Sequence, residues 1–406
     1  MRRGLALTFL LALAACAQPL PPLSPGLPWV RSEDMALPER NFPFSAFVQR
    51  RLLGEAHQAG NSEAVRARLG QLAEMGYAPA EPTLALLARH VPEAEMAALR
   101  LRFGSNRASV QASRLVETVP AEHRLIEGIA WDERGERLFA SSVVGRALLV
   151  RDASGWRAIE GLDSGSLFGL AIDRRRNLLW VASGKVEQTP SPETAFRGLI
   201  AIDLATSRPV RRLAAPGEGS PADIAVGPDG SVYASDPASG AIYQAGPTDA
   251  SLSVLVPAGR LHNPQGLVPT ADGRRLYVSD YVQGLAVVNL ADGRLIDVLA
   301  AAGTMLDGID GLFAFRNGLI AIQNGTNPRR ILFLVPHAAG DIISHVRVLE
   351  SNHPDWGEPT LGTVRGNQVL YVADAQWERY GAGGVVQGEE PLRPTAIRIL
   401  RPFGRR

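Results

Sequence analysis

Cysteine is nearly missing from this sequence: Cys16 is the only one in 406 residues. No internal disulfide can form, and no cysteine cluster of the structural-zinc kind exists. Lysine is as scarce. Lys185 stands alone and every other strong base is arginine, a bias that GC-rich coding explains more simply than a demand for anion binding. Neither sign of charge is in excess: 42 Lys and Arg face 41 Asp and Glu, for a net charge of +1. With no basic or acidic tail, nucleic-acid binding and polybasic membrane attachment are not expected. The apolar run at 4–15 is too short to span a bilayer. No Gly-x-Ser-x-Gly elbow, phosphate loop or His-Glu-x-x-His helix is present, so the motif-borne chemistries of serine hydrolases, nucleotide binders and zincins have no signature here.

What the chain does have is a repeat. A short apolar strand, a turn and a second strand rich in β-formers recur six times. The copies are EGIAWDERGERLFASS (127–142), FGLAIDRRRNLLWVASG (168–184), ADIAVGPDGSVYASD (222–236), QGLVPTADGRRLYVSD (265–280), DGLFAFRNGLIAIQN (310–324) and TLGTVRGNQVLYVAD (360–374). Their starts lie 41, 54, 43, 45 and 50 residues apart, the span of a four-stranded blade at about 40–50 residues. The expected fold class is mainly β, a six-bladed β-propeller preceded by a small α-helical domain. A hydrophobic content of 46% can supply its core. One strand is left over at each end: SRLVETV (113–119) has no blade before it, and TAIRIL (395–400) is a third strand without a fourth. Pairing the two would close the ring and remove the free sheet edges.

Residues 47–102 change to helical spacing, with Leu52, Leu53, Ala56, His57, Val65, Leu69, Leu72 and Met75 in phase. Gly60-Asn61 interrupts the run, Ser62 is expected to cap the second helix, and Gly76 to end it. Further helices are expected over 83–90 and 92–101, with Pro92 at a helix start. The region resembles a single tetratricopeptide-type hairpin, in which Ala56, Gly60 and Ala64 would let the helices approach. It has no Trp, and the closing Pro is displaced to Pro79. A helical cap packed on the propeller explains the same residues more simply. Upstream, Arg2 and Arg3 precede the apolar run, and Leu13-Ala14-Ala15-Cys16 resembles the bacterial lipobox, whose cysteine is lipidated and becomes the mature N-terminus. Ala15-Cys16-Ala17 also fits the cleavage signal of a freely secreted protein. Ala17 is not the Asp that retains lipoproteins at the inner membrane. The expected organisation is a signal peptide over 1–16, a Pro-rich spacer over 17–34, a helical domain over 35–104 and the propeller over 107–402. The expected location is outside the cytoplasm, facing the periplasm or on the cell surface, held to the membrane only by lipid on Cys16.

In a propeller the first strand of each blade lines the central channel and starts at one mouth. Six starts therefore converge: Glu127, Phe168, Ala222, Gln265, Asp310 and Thr360. The ends of the phrases add Ser142, Asp236, Asp280, Asn324 and Asp374. Acids and amides around one axis make an oxygen-only donor set for a divalent cation, calcium rather than zinc. Such a cation would polarise a carbonyl or activate water. Asp236, Asp280 and Asp374 each follow a second strand and read as turn caps. Glu127 and Asp310 start channel strands and do not fit that explanation. Phe168 reads as channel wall. His262 is a candidate proton shuttle or a solvated loop histidine.

Glu127-Gly128-Ile129-Ala130-Trp131-Asp132 resembles the opening of the regucalcin/gluconolactonase family, six-bladed lactone hydrolases that depend on calcium or zinc. The resemblance covers roughly 115–400. It implies Glu127 as a metal ligand and Asp310, of Asp310-Gly311, as both ligand and base. The family's central Pro-Asn-Gly corresponds to Pro264-Gln265-Gly266, so the implied third ligand is Gln265, a longer amide. The family's Asn-Asp pair near the substrate becomes Ala222-Asp223, and Asp223, Asn324 and Thr360 join Phe168 and His262 as channel candidates. The phrases Glu358-Pro359-Thr360-Leu361-Gly362 and Asp374-Ala375-Gln376-Trp377 resemble those of a bacterial branch in which a helical segment precedes this propeller. The implied activity is metal-dependent hydrolysis of a small-molecule lactone or ester. The alternative is a non-catalytic propeller that binds an envelope ligand or scaffolds proteins, since propellers host both. A quinone-dependent dehydrogenase has no matching cofactor signature.

Overall fold

The computed structural model describes residues 36–404. The signal segment 1–16 with Cys16, and the spacer 17–34, lie outside the described residues. Helices come first: α1 (Ala36–Asn41), α2 (Ala46–Gln58), α3 (Ser62–Glu74), α4 (Glu81–Leu87) and α5 (Glu93–Asn106). The cap of α3 is Asn61, whose side chain accepts the Ala64 N–H at 3.0 Å. Ser62, expected to cap this helix, stands one residue too late to reach the third N–H. It bonds His90 Nδ1 instead, at 3.0 Å. Gly60 is likewise not a point of close approach. Nothing crowds a Cβ there, and its φ of +70° ends α2. The helix expected over 92–101 runs on to Asn106, because Leu99 and Phe103 continue the buried face.

Leu53, Val65, Leu69, Leu72, Leu84 and Phe103 form the core of this helical part, and Met305 of the propeller belongs to the same cluster. Polar ties reinforce the seam. Asp307 Oδ2 accepts the Phe47 N–H at 3.0 Å and the Ser45 hydroxyl at 3.2 Å. Ala78 and Asn327 exchange two hydrogen bonds. A few short helices enclose little core alone, and the propeller completes it.

Strand β1 (Ser113–Val119) precedes the first blade. Blade I is β2 (Ile126–Asp132), β3 (Arg137–Ser142), β4 (Ala147–Asp152) and β5 (Gly155–Ala158). Blade II is β6 (Ser166–Asp173), β7 (Leu178–Gly184), β8 (Gly198–Asp203) and β9 (Arg208–Ala214). Blade III is β10 (Ile224–Val226), β11 (Val232–Asp236), β12 (Ala241–Ala245) and β13 (Ser253–Val256). Blade IV is β14 (Pro264–Pro269), β15 (Arg275–Asp280), β16 (Gly284–Asn289) and β17 (Leu295–Asp297). Blade V is β18 (Ile309–Phe315), β19 (Gly318–Gln323), β20 (Arg330–Pro336) and β21 (Ile343–Ser351). Blade VI takes β22 (Gly362–Arg365), β23 (Gln368–Val372) and β24 (Thr395–Leu400), and β1 completes it in the order β1-β24-β23-β22. The chain is thus a six-bladed β-propeller closed by its first strand. Pairing runs antiparallel from Ser113 opposite Leu400 to Val119 opposite Thr395. Glu350 locks this seam from blade V, accepting the N–H groups of Ala112 and Ser113 and the hydroxyls of Ser113 and Tyr371. Apolar faces of adjacent blades interlock, as with Phe139, Leu148 and Val150 of blade I against Leu167, Leu179 and Ile200 of blade II.

Candidate active site at the channel mouth

Four blades carry the same local device where the first strand begins. The register between first and second strands shifts between Ile126 and Ile129, Leu167 and Leu170, Pro264 and Leu267, and Ile309 and Gly311. A bulge of this kind re-aims a side chain, and the residues inside the four shifts include Glu127, Phe168, Gln265 and Asp310. The glycine after each has its own reason. A Cβ on Gly128 would lie 2.6 Å from the Phe168 carbonyl oxygen, and one on Gly311 2.6 Å from that of Thr360. The next blade's backbone fills the space, so only glycine lets neighbouring first strands close around the axis. The matching positions in blades III and VI are Asp223 and Leu361. They line two cavities at once, one at the mouth and one deeper in the channel.

The mouth cavity measures about 310 Å³. Glu127, Phe168, Asp223, Gln265, Asp310 and Asn324 all line it. Two expected residues do not. Thr360 is buried behind the wall, where its hydroxyl donates to the Glu127 carbonyl at 2.8 Å. His262 is held back by its own backbone N–H, which donates to Asp280 Oδ2 at 2.6 Å. Its ring is buried rather than solvated, and that burial lowers its pKa. Asp236 and Asp280 accept backbone N–H groups of their turns and serve as caps, whereas Asp374, also expected to be a turn cap, accepts the Glu358 N–H and pairs with Arg393 at 2.7 Å instead.

Among the members of the wall that sequence reasoning missed are Asn263, Tyr281, Glu358 and Trp377. Trp377 Nε1 donates to Glu127 Oε2 at 2.7 Å. Asn324 Nδ2 donates to Asp310 Oδ2 at 2.7 Å and to the Pro359 carbonyl at 2.9 Å, and lies 3.5 Å from Glu358 Oε1. Tyr281 fixes that amide by donating to Asn324 Oδ1 at 2.8 Å. Gln265 donates its Nε2 to Asn263 Oδ1 at 2.6 Å, which leaves Oε1 as its acceptor. Glu358 is 1% exposed, and its Oε2 has no hydrogen-bond partner. The unusual phrases around Glu358 and Trp377 were the available signal, because plain turns do not need a buried acid or a Trp.

Five carboxyl groups thus line one cavity, Glu187 among them as an exposed one, and none is in an ion pair among the described residues. Desolvation pushes Glu127 well above the ordinary carboxyl range, and the charges of Asp310 and Asp223 add to it, while the Trp377 bond opposes. Asp223 is raised to about 7 by desolvation, against the bond from the Ile224 N–H. Asp310 is raised to about 6 by desolvation, against the Asn324 bond. Desolvation, with Glu378 and Asp374, lifts Glu358 well above its usual value. Among the described residues no three Asp, Glu, His or Cys side chains form a ready metal-holding group. The set of Glu127, Asp310 and Gln265 contains two acids and an amide. Its all-oxygen chemistry, and the unneutralised acids around it, fit a hard divalent cation.

At the sequence level no protein-family model matches this chain, and no curated protein is significantly similar to it. Solved structures are similar in fold. A gluconolactonase from Xanthomonas campestris is 17% identical over 72% of this chain and 97% of its own, with a TM-score of 0.48. Virginiamycin B lyase from Staphylococcus aureus is 11% identical over 64% and 82%, with a TM-score of 0.47. The PQQ-bound aldose sugar dehydrogenase from Streptomyces coelicolor is 15% identical over 71% and 98%, with a TM-score of 0.45. These values carry no argument about chemistry, and the propeller stands on the sheet order itself.

Proposed function

We propose that this mouth is the active site of a hydrolase that cleaves a small-molecule lactone or ester with the help of a divalent cation, calcium in preference to zinc. The observation that carries the reading is the gathering of Glu127, Asp223, Asp310 and Glu358 on one cavity with no ion pair to any of them among the described residues. A desolvated carboxylate is stable only with a cation, a donor network or a proton. Glu127, Asp310 and Gln265 would hold the cation, which would polarise the substrate carbonyl. Asp310, with its pKa at about 6, is largely ionised at neutral pH and takes the proton of the attacking water. Water adds to the carbonyl carbon, the acyl C–O bond breaks, and the proton returns to the leaving oxygen. Trp377 fixes the Glu127 carboxylate, and Asn324 fixes that of Asp310.

The lipobox-like Leu13-Ala14-Ala15-Cys16 supports a separate part of the proposal, that the protein is exported and anchored through an acylated Cys16. Elemental analysis of the purified protein, with a lactone and ester panel before and after chelation, tests the catalytic part. We expect about one divalent ion per chain, turnover lost with the chelator, and turnover restored by calcium. A metal-free protein that turns over none of the panel, with stability indifferent to calcium and zinc, overturns it.

A further inference from the structure

The cavity is sorted by chemistry around the ring. Most of its acids and amides come from blades I, IV, V and VI; Asp223 stands at the waist, and Glu187 and Gln188 come from the loop after β7 of blade II. Blades II and III contribute an apolar patch of Phe168, Val186, Ala222, Pro237 and Ala238, flanked by Lys185, Glu187, Ser220 and the buried Gln188, whose Oε1 has no hydrogen-bond partner among the described residues. At two of the six strand starts, Phe168 and Ala222, a hydrocarbon stands where other blades present Glu127, Gln265 and Asp310. Lys185, the only lysine, is exposed at the rim of this wall.

The consequence for a ligand is physical. A substrate rich in hydroxyls would press several of them against carbon. Each would lose its bonds to water with nothing in exchange. A hydrocarbon substituent there would gain by leaving water. At about 310 Å³ the cavity is at the small end of ligand pockets, so the substituent must be short. Building on the hydrolase reading, we infer that the substrate is a lactone or ester carrying a short apolar acyl or alkyl chain, and not a polyol such as a sugar lactone. The reacting carbonyl lies among Glu127, Asp310 and Gln265, and the chain runs along Phe168, Ala222 and Val186 towards the rim.

The test uses the full chain with calcium and measures kcat/KM for γ-butyrolactone, γ-hexalactone, γ-octalactone and glucono-δ-lactone. The value should rise roughly fourfold per added methylene until the wall is covered, and gluconolactone should fall below γ-octalactone. A flat or falling series, or a preference for gluconolactone, overturns the inference. Val186→Asp should lower the γ-octalactone value about tenfold more than the γ-butyrolactone value, and equal losses count against it. If no lactone is turned over, the hydrolase reading fails by itself. Calorimetric binding of the same series then decides this inference: affinity that tightens with chain length supports it, and affinity that does not overturns it.

Discussion

Trp377 and Glu127 lie 250 positions apart in sequence, yet the indole Nε1 donates to Glu127 Oε2 at 2.7 Å. The bond ties the last blade to the first at the site itself, and it favours the ionised form of Glu127, opposing without overcoming the upward push of burial on its pKa. Trp377→Phe keeps an aromatic ring, though a smaller one, and deletes the donor. A hydrogen bond to a charged group contributes about 1.5–3 kcal/mol. Calcium affinity measured by calorimetry should therefore fall by roughly tenfold or more, with the fold intact by circular dichroism. Unchanged affinity would mean that Glu127 does not hold the cation.

Asp310 and Glu127 should separate by role. Glu127→Gln should weaken calcium binding and lactone hydrolysis together. Asp310→Asn should reduce kcat by about a hundredfold or more, beyond its effect on calcium affinity, because it removes the base as well as a ligand. Saturating calcium should rescue Glu127→Gln in part and Asp310→Asn very little. Full rescue of both would leave Asp310 a ligand only.

Ring closure makes the outermost strands indispensable. Deleting 395–406 removes β24, which pairs with both β1 and β23. The remaining blades should lose cooperative unfolding in a urea titration. A milder probe is Glu350→Ala, which strands the buried Tyr371 hydroxyl and releases the N–H groups of Ala112 and Ser113. It should destabilise the protein by about 3 kcal/mol. An intact unfolding transition after the deletion would show that closure is not what couples the blades.

The helical part carries a pH-sensitive cluster. His57 Nδ1 meets His90 Nε2 at 2.9 Å, and Arg89 reaches His57 Nε2 at 3.3 Å. Burial, then Arg89, then His90 lower the His57 pKa below its usual 6.5. The unfolded chain thus binds this proton more readily than the folded one. The stabilisation is present above about 6.5 and is lost as pH falls through the folded value. Thermal unfolding followed from pH 8 down to pH 5 should show that loss, and His57→Asn should flatten it. An identical slope in the variant would place the effect elsewhere.

The sequence by itself determined the ring. Six phrases at blade-length spacing count the blades, and the stranded SRLVETV and TAIRIL demand each other, because an open sheet edge is costly. It also brought Glu127, Gln265 and Asp310 to one mouth, since strand starts in a propeller converge whatever their side chains. Tertiary structure decided what chain order cannot encode. Glu358, Trp377 and Tyr281 come from loops after or before other strands, and only the radius of the closed ring brings them to the axis. The bulges at Glu127, Phe168, Gln265 and Asp310 turn side chains by a one-residue slip, which a period-two pattern does not reveal. The same limit moved the α3 cap from Ser62 to Asn61. It also left His262 and Thr360 behind the wall, because a residue's neighbours across blades, not its place in the repeat, determine whether it reaches the cavity.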